Sequence, residues 1–328
     1  MGLQLPKRVA GNHGTARRVT ALAVLGISVL VLGGCSSETK GEWERFAMPD
    51  PASEQGEHIL NLWQGAWIAA LITGVIVWAL IFYAIFHFRR RSDDEIPIQT
   101  RYNLPLEIFY TIAPVIMVIV FFVHTVDTQN FVLDDDRKVD NTIEVTGQQW
   151  SWTFNYGIGE QDRSADDDLF DDQFPYSSYV HEAGTGSHIP TLVLPVGLTT
   201  RFNLHSPDVI HDLGVPAFLM KMDVVPGRVN HYEITPTREG SFRGKCYELC
   251  GVYHSRMLFN VEVVSVEKYQ EYLQQLQDAG AESDAPLLGG SFASTQAGLS
   301  GDEPRRGRSD RHDRTPDRHR RDGAPASR

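Results

Sequence analysis

The sequence predicts a two-helix transmembrane hairpin followed by an all-β sandwich or barrel. Two long apolar runs stand in its N-terminal half, and one of them, residues 65–88, contains no Asp, Glu, Lys or Arg. After residue 127 the pattern changes to short segments of alternating β-branched and aromatic residues, separated by Pro and Gly. That second pattern is typical of short strands in an all-β domain.

Residues 1–34 are predicted to be a secretory signal peptide. Basic residues, among them Lys7 and Arg17, precede a short apolar run, which is the usual arrangement of an export signal and is too short for a comfortable membrane span. The run stops at "LGGC", which resembles the lipobox of bacterial lipoproteins. The resemblance implies cleavage before Cys35 and lipidation of its thiol. The alternative is a plain signal peptide with an incidental cysteine.

The two membrane spans are predicted at residues 65–88 and 104–126. The first has 24 residues, enough to cross a hydrocarbon core of ~30 Å. The connecting loop 89–103 carries four arginines, and basic loops stay in the cytoplasm. Residues 35–64 and the C-terminal domain are therefore expected outside the cytoplasm of a bacterial cell membrane, as the export signal also requires. The arginines of the loop are Arg89, Arg90, Arg91 and Arg101.

Residues 127–279 are predicted to form the β domain, with a closing helix over 266–279 whose apolar residues share one face. Within it, residues 160–172 hold seven acidic residues and one arginine and are expected to be a solvated loop or part of a docking face. Residues 280–328 contain few large apolar side chains. Such a segment buries too little surface to fold, so the sequence predicts a disordered tail.

The charge of the chain excludes one class of partner. The formal net charge is -12, whereas a nucleic-acid-binding face needs net positive charge. Between residues 127 and 270 there are 22 acidic and 11 basic residues. A basic protein partner is the natural complement of such a surface.

The stretch "CYELCGVYHSRM", residues 246–257, concentrates potential metal ligands. Cys246, Cys250, His254 and Met257 are separated by four, four and three positions. Thiolate, imidazole and thioether are the ligands of electron-transfer copper sites, but a mononuclear blue-copper site uses one thiolate. Two thiolates that each bridge two metal ions require a second histidine. The candidates are His181, His188, His205, His211 and His231, of which His211, in a strand-like run before a Gly-Val-Pro turn, is preferred.

Two other interpretations of the cysteine pair are open at this point. An exported chain favours oxidation, so Cys246 and Cys250 could form a disulfide. A disulfide does not account for His254 and Met257 at these spacings. Zinc is the second alternative, although methionine is not among its usual ligands.

Three stretches, "CYELCGVYHSRM", "DVIHDLGVPAF" and "KMDVVPGR", resemble subunit II of the haem-copper cytochrome c oxidases, and the resemblance runs from the first span to about residue 270. It implies a cupredoxin-like Greek-key domain with the dinuclear copper centre CuA. Cys246 and Cys250 would bridge two copper ions, and His211 and His254 would bind one each. Met257 and the backbone carbonyl of Glu248 would be axial ligands. The Glu248 carboxylate would contact a Mg ion at the boundary with subunit I.

The same resemblance implies a function. Electrons would pass from a c-type cytochrome to haem in subunit I, which also holds CuB, and a subunit III would complete the oxygen-reducing, proton-pumping complex. Trp150, in "GQQWSWTFNY", matches the tryptophan that receives the electron. Glu107 matches the acid at the mouth of a proton-uptake path. Gln148 and Ser151 depart from the family pattern, which often has His and an aromatic residue at these positions.

Three rival functions are weighed against the oxidase subunit. A quinol oxidase subunit of the same fold lacks the Cys, His and Met ligands. A nitrous-oxide-reductase-like CuA protein carries a large propeller domain where this chain has two membrane spans. A membrane-anchored copper carrier or assembly lipoprotein is the remaining alternative, and it should purify without a haem-bearing partner.

Overall fold

The computed structural model describes residues 37–134, 136–161 and 174–289. The predicted signal peptide, the predicted lipidation site Cys35, nearly all of the acidic segment 160–172 and the residues beyond 289 lie outside these ranges. The predictions for those segments therefore stay predictions.

Three helices precede the β domain in the part of the chain that the structure describes. Helix α1, Ser37–Glu44, is short, and α2, Glu54–His87, and α3, Leu104–Val132, contain the two predicted spans. The most apolar window of each long helix has no residue buried within the chain, so these side chains are available to lipid or to other subunits. The predicted transmembrane hairpin is confirmed.

Both long helices extend beyond the predicted spans. Helix α2 begins eleven residues earlier than residue 65, because the side chain of Ser53 caps it by accepting a hydrogen bond from the Gly56 N–H. Its 34 residues are about 51 Å long, well beyond the ~30 Å of a hydrocarbon core. Hydropathy identifies only the lipid-facing part of a helix, so it does not predict the polar turns at the start of α2.

The start of α2 is joined to the β domain by backbone hydrogen bonds. The Ala52 N–H donates to the Ala217 carbonyl at 2.7 Å, and the Ala52 carbonyl accepts from the Thr237 N–H at 3.0 Å. The Gln55 side chain accepts from the Thr235 N–H at 3.2 Å. The outer end of the first membrane helix is thus attached directly to the domain that it anchors.

The β domain consists of two sheets. The strands are β1 Asn141–Gln148, β2 Ser151–Gln161, β3 Tyr176–Ala183, β4 Thr191–Pro195, β5 Thr200–His205, β6 His211–Val215, β7 Met220–Val224, β8 Asn230–Ile234, β9 Gly240–Cys246, β10 Leu258–Val264 and β11 Glu282–Ser283. One sheet has the order β11-β3-β2-β1-β5-β8 and the other β4-β10-β9-β6-β7. Pairs β1–β5 and β4–β10 are parallel and the other pairs are antiparallel. The predicted all-β domain is confirmed.

The core lies between the two sheets and contains the alternate residues of β2. Trp152, Phe154 and Tyr156 are fully buried, as expected for side chains on one face of a strand. Helix α4, Val266–Asp278, closes the domain by packing Tyr269 against Tyr156, with ring centroids 6.2 Å apart. Burial of these large aromatic rings supplies much of the hydrophobic stabilisation.

The prediction of a disordered tail from residue 280 is wrong for residues 280–289. Residues 281–289, called the C-terminal strap below, add β11 to the edge of the first sheet and then cross its outer face. The Leu287 N–H donates to Asn155 Oδ1 at 2.8 Å, and Thr146 Oγ1 donates to the Leu287 carbonyl at 2.8 Å. Polar contacts hold this segment, and the hydrophobic content of a sequence does not reveal them.

Candidate metal centre

The predicted ligand residues are brought together at the ends of adjacent strands. His211 is the first residue of β6 and Cys246 the last of β9, and the two strands pair with Leu213 opposite Cys246. Cys250 lies in the following loop, and His254 begins a 3-10 turn, His254–Arg256, directly before Met257. The Cys246 N–H donates to the Met257 carbonyl at 3.0 Å. This bond closes the loop, named here the copper loop (residues 246–257).

Each predicted ligand atom lies beside one of the two thiols. The sulfur atoms of Cys246 and Cys250 are 3.9 Å apart. Cys246 Sγ lies 4.0 Å from His211 Nδ1 and 3.3 Å from the Glu248 carbonyl oxygen. Cys250 Sγ lies 3.5 Å from His254 Nδ1 and 3.7 Å from Met257 Sδ. The structure therefore brings all six sequence-predicted ligand residues around one point.

Most of this cluster is shielded from solvent, and His254 is half-buried. His211 and Met257 are fully buried, and Cys246 and Cys250 are 4 % and 3 % exposed. Both cysteines are free. Their sulfur separation of 3.9 Å is far beyond the ~2.05 Å of a disulfide bond. Cys246 and Cys250 therefore do not form a disulfide in this structure.

The two thiols differ in their electrostatic environment. Burial and the neighbouring Cys246 raise the pKa of Cys250 to about 12. Burial also raises the pKa of Cys246, but hydrogen bonds, chiefly with His211, outweigh burial and hold that pKa below its ordinary value. Since a thiol binds metal as thiolate, metal binding has to displace the Cys250 proton.

Asp208, which the sequence did not single out, orients His211. Its Oδ1 lies 2.9 Å from His211 Nε2, and its Oδ2 accepts from the Gln149 N–H at 2.8 Å. Because a carboxylate only accepts hydrogen bonds, Nε2 carries the proton and the Nδ1 lone pair faces Cys246. Burial lowers the pKa of His211, but the bond to Asp208 raises it more. Carboxylates in this position commonly fix metal-binding histidines.

Trp150 and Gln149 contact the copper loop from the β1–β2 turn. The Cys250 carbonyl accepts hydrogen bonds from Gln149 Nε2 at 2.7 Å and from the indole Nε1 of Trp150 at 3.1 Å. Gly251 has φ +123°, and a Cβ there would lie 3.1 Å from Trp150 Cζ2. Glycine is thus required both for the backbone conformation and for the close approach of the indole. Trp150 lies in contact with a ligand residue's backbone.

The other described candidate histidines are placed elsewhere. His205 pairs with Glu144 at 2.6 Å and His188 with Glu182 at 2.8 Å. His181 and His231 lie on β3 and β8 of the six-stranded sheet. Among the candidates, His211 alone joins the cysteine cluster.

Glu107 and the Glu248 side chain are both outside the cluster. Glu107 belongs to the first turn of α3, where its Oε1 accepts from the Asn103 N–H at 3.0 Å. This contact gives the carboxylate a local helix-capping role. The Glu248 side chain is exposed, so it points away from the thiols that its own carbonyl approaches.

The donor set fits copper. Two thiols, two imidazoles and a thioether form a soft set of the kind that copper uses in electron-transfer proteins, whereas structural zinc sites use cysteine and histidine without methionine. A buried set of this kind, on a β domain attached to a two-helix membrane hairpin, defines the class of membrane-anchored copper proteins for electron transfer.

Comparison with known proteins narrows this class to one family. Residues 141–264 match "Cytochrome C oxidase subunit II, periplasmic domain" and residues 41–126 match the transmembrane domain of the same family. The chain belongs to the cytochrome c oxidase subunit II family. It is therefore the electron-accepting, CuA-type subunit of a haem-copper oxidase, an oxidoreductase complex in which subunit I is its partner. It is a membrane protein with a periplasmic domain.

Individual relatives agree with the family assignment. The chain is 47 % identical over 277 residues to the probable cytochrome c oxidase subunit 2 of Streptomyces avermitilis, covering 78 % of this chain and 87 % of the relative. It is 43 % identical over 290 residues to the probable cytochrome c oxidase subunit 2 of Streptomyces coelicolor, covering 82 % of this chain and 90 % of that relative. The crystal structure of the periplasmic domain of subunit II of cytochrome oxidase of Bradyrhizobium japonicum is 26 % identical, with a TM-score of 0.36, and covers 44 % of this chain and 97 % of that domain.

Proposed function

We propose that this chain holds two copper ions between Cys246 and Cys250 and accepts electrons from a c-type cytochrome at the outer face of a bacterial cell membrane. The observation that carries the proposal is the convergence of four further donor atoms on two buried thiols 3.9 Å apart. When bound, the copper pair takes up one electron at a time and passes it on to haem in subunit I.

The ligand assignment follows the distances from each sulfur. Cys246 and Cys250 would hold the ions between them, with His211 and the Glu248 carbonyl on the Cys246 side and His254 and Met257 on the Cys250 side. Each side would offer one imidazole and one weaker donor. Two shared thiolates would spread the charge of one electron over a copper pair, which would keep rearrangement of the ligands small.

The surrounding residues hold the ligands in place before any metal arrives. The pairing of β6 with β9 fixes His211 relative to Cys246, and the bond from the Cys246 N–H to the Met257 carbonyl fixes the ends of the copper loop. Asp208 fixes the ring of His211. A rigid, dry ligand set lowers the structural change that accompanies electron transfer.

Electron delivery is assigned to Trp150. Its half-buried indole donates a hydrogen bond to the carbonyl of Cys250, so the ring is joined by one hydrogen bond and a few covalent bonds to a bridging sulfur. The donor is a c-type cytochrome, and the excess of acidic residues in the β domain favours a basic one.

Further roles are proposed at the contacts with the rest of the complex. The exposed Glu248 carboxylate, on the residue whose carbonyl faces Cys246, is placed to bind Mg at the boundary with subunit I. Glu107, at the start of α3, is assigned to the mouth of a proton path in subunit I. Subunit III completes the complex.

Replacing one bridging thiol tests the copper assignment. In Cys250→Ser the purified complex should lose the near-infrared absorption of a mixed-valence copper pair, because a hydroxyl does not bridge copper as a thiolate does. Ser255→Ala, an exposed residue of the same loop that is not a proposed ligand, is the control and should keep the absorption. An unchanged spectrum in Cys250→Ser would refute the bridging role.

Replacing the indole tests the delivery route. Trp150→Phe removes the hydrogen bond to the Cys250 carbonyl but keeps an aromatic ring. We expect slower reduction of the oxidase by reduced cytochrome c in stopped-flow measurements, with the copper content unchanged. Equal rates in the two proteins would show that the electron arrives elsewhere.

A further inference from the structure

A buried ion pair lies next to the metal centre. Asp212 follows His211 in β6, so its side chain lies on the opposite face of the five-stranded sheet. The Asp212 side chain is fully buried, and its Oδ2 accepts a hydrogen bond from Lys221 Nζ on β7 at 2.6 Å. The lysine side chain is 58 % exposed. The pair therefore consists of a buried negative charge and a positive charge at the surface.

The copper loop contacts the strand face that carries Asp212. The Asp212 carbonyl accepts a hydrogen bond from the N–H of Tyr247, the residue after Cys246, at 3.1 Å. The Tyr247 ring packs against Gly214, where a Cβ would clash with it, and Gly214 shares a strand face with Asp212. Burial, together with the Asp212 carboxylate, raises the pKa of Tyr247. The negative charge of Asp212 thus acts on a residue of the copper loop.

Folding stability does not account for a carboxylate at this position. The register of β6 and β7 places Asp223 directly opposite Asp212, and like charges in opposite positions destabilise a sheet. Among the described residues nothing donates a hydrogen bond to Asp212 Oδ1, although a buried carboxylate loses the hydrogen bonds of water. Buried ion pairs often contribute little to stability because of this desolvation. The negative charge of Asp212 is therefore only partly compensated.

A fixed charge near the metal centre affects its two oxidation states differently. The oxidised copper pair carries one more positive charge than the reduced pair. A neighbouring carboxylate therefore stabilises the oxidised state and lowers the reduction potential, whereas an ammonium group raises it. Solvent and salt screen a buried charge less than an exposed one. Asp212 is thus expected to change the potential more strongly than Lys221.

We propose that Asp212 and Lys221 tune the reduction potential of the copper pair: Asp212 lowers the potential, and Lys221 limits this effect. The inference rests on the proposed function and adds to it two residues that do not bind the metal. Reduction adds one electron to the pair and transfers no proton. A lower potential makes the reduced pair a stronger reductant toward haem in subunit I.

Redox titration of the purified oxidase complex, followed by the near-infrared absorption, tests this proposal. Asp212→Asn removes the charge but keeps the shape of the side chain, so the midpoint potential should rise. At the wild-type midpoint the ratio of reduced to oxidised copper should increase about tenfold, which corresponds to a shift of about 59 mV for a one-electron couple. Lys221→Met should shift the midpoint in the opposite direction, and by less, because the lysine is exposed.

Two further variants separate the effect of charge from structural damage. Asp223→Asn removes the same charge from the residue opposite Asp212, but this side chain is exposed, so the midpoint should change little. The double variant with Asp212→Asn and Lys221→Met should have a midpoint between those of the two single variants. Loss of packing would instead change the near-infrared band or shift both single variants in the same direction.

The outcomes distinguish this inference from the proposed function. An unchanged or lower midpoint in Asp212→Asn, with the near-infrared band intact, would overturn the tuning role and leave the copper pair standing. If Asp212→Asn does not retain copper, Lys221→Met decides, and a midpoint equal to or above that of the wild type overturns the inference. Absence of the near-infrared band from the wild-type complex would refute the proposed function itself.

Discussion

At the scale of single residues, contacts from distant parts of the chain hold the ligand residues in place. The Cys250 carbonyl, for example, receives hydrogen bonds from Gln149 and Trp150, about one hundred positions earlier. Asp208 joins the same turn to His211. The β1–β2 turn, Asp208, His211 and Cys250 therefore belong to one hydrogen-bonded unit.

Asp208 offers a direct test of this unit. In Asp208→Ala, His211 loses the acceptor for its Nε2 proton, and we expect copper affinity to fall about 10- to 100-fold, the usual effect of removing such a partner. Competition with a copper chelator measures the change. Asp208→Asn keeps an oxygen acceptor and should lose less copper affinity than Asp208→Ala. Asp278→Asn, on the exposed surface of α4, should bind copper as tightly as the wild type. Equal affinities in all three variants would exclude an orienting role.

Residue spacing predicts which ligand residues lie close together, but it does not predict the residues that hold them in place. Cys246, Cys250, His254 and Met257 fall within one loop, so their proximity follows from the local sequence, and the structure brings them together. Asp208 and Gly251 could not be predicted in the same way. Asp208 lies only three positions before His211, but the turn that directs its carboxylate to the ring, and the approach of Trp150 to Gly251, are set by the folded domain. A proline before Asp208 and a glycine after Cys250 are common turn residues and carry no specific signal.

At the scale of elements, the C-terminal strap shows how polar contacts extend a domain. Residues 281–289 are held by β11 pairing, by Leu287 against Asn155 and Thr146, and by Ser178 Oγ, which donates to Glu282 Oε1 at 2.9 Å. The last residue of the strap packs on Gln148, the final residue of β1 before the Gln149–Trp150 turn. The strap therefore reaches the metal-bearing end of the domain.

Two truncations test the contribution of the strap. A chain ending at residue 289 keeps every strap contact and should match the full chain in thermal stability. A chain ending at residue 280 loses at least three hydrogen bonds to side chains, each worth about 1 kcal/mol, and should lose its near-infrared absorption at a temperature several degrees lower. Identical midpoints for the two truncated chains would show that the strap is dispensable.

The elements that the sequence predicted well are those with strong periodicity. The sequence predicts the existence and order of the two apolar helices and the closing helix, and the closing helix, Val266–Asp278, differs by one residue from the predicted range. The start of α2 was missed by eleven residues, because its cap at Ser53 is fixed by contacts with the β domain such as the Ser53 Oγ bond to the Phe218 carbonyl. A hydropathy profile carries no information about long-range contacts of this kind.

At the scale of the whole molecule, two features of the β domain matter for electron entry: its attachment to the first membrane helix and its acidic charge. The backbone bonds at Ala52 join the β domain to the outer end of the first membrane helix. The β domain carries 22 acidic and 11 basic residues between positions 127 and 270. Such a surface would attract the basic donor proposed above.

Salt should weaken this attraction. The screening length falls from ~30 Å at 0.01 M to ~8 Å at 0.15 M ionic strength, so the second-order rate of electron uptake from a basic c-type cytochrome should decrease steadily over this range. Internal transfer to haem, measured after uptake, serves as the control and should not change. A rate that is independent of salt would contradict a basic donor.

The proposed function depends on two copper ions that share one unpaired electron. Electron paramagnetic resonance of the oxidised, purified complex tests this most directly, with the Cys250→Ser spectrum subtracted to isolate the contribution of the site. We expect a hyperfine pattern from two equivalent copper nuclei that is absent from the variant. A pattern from a single copper nucleus in the wild-type complex would rule out the copper pair.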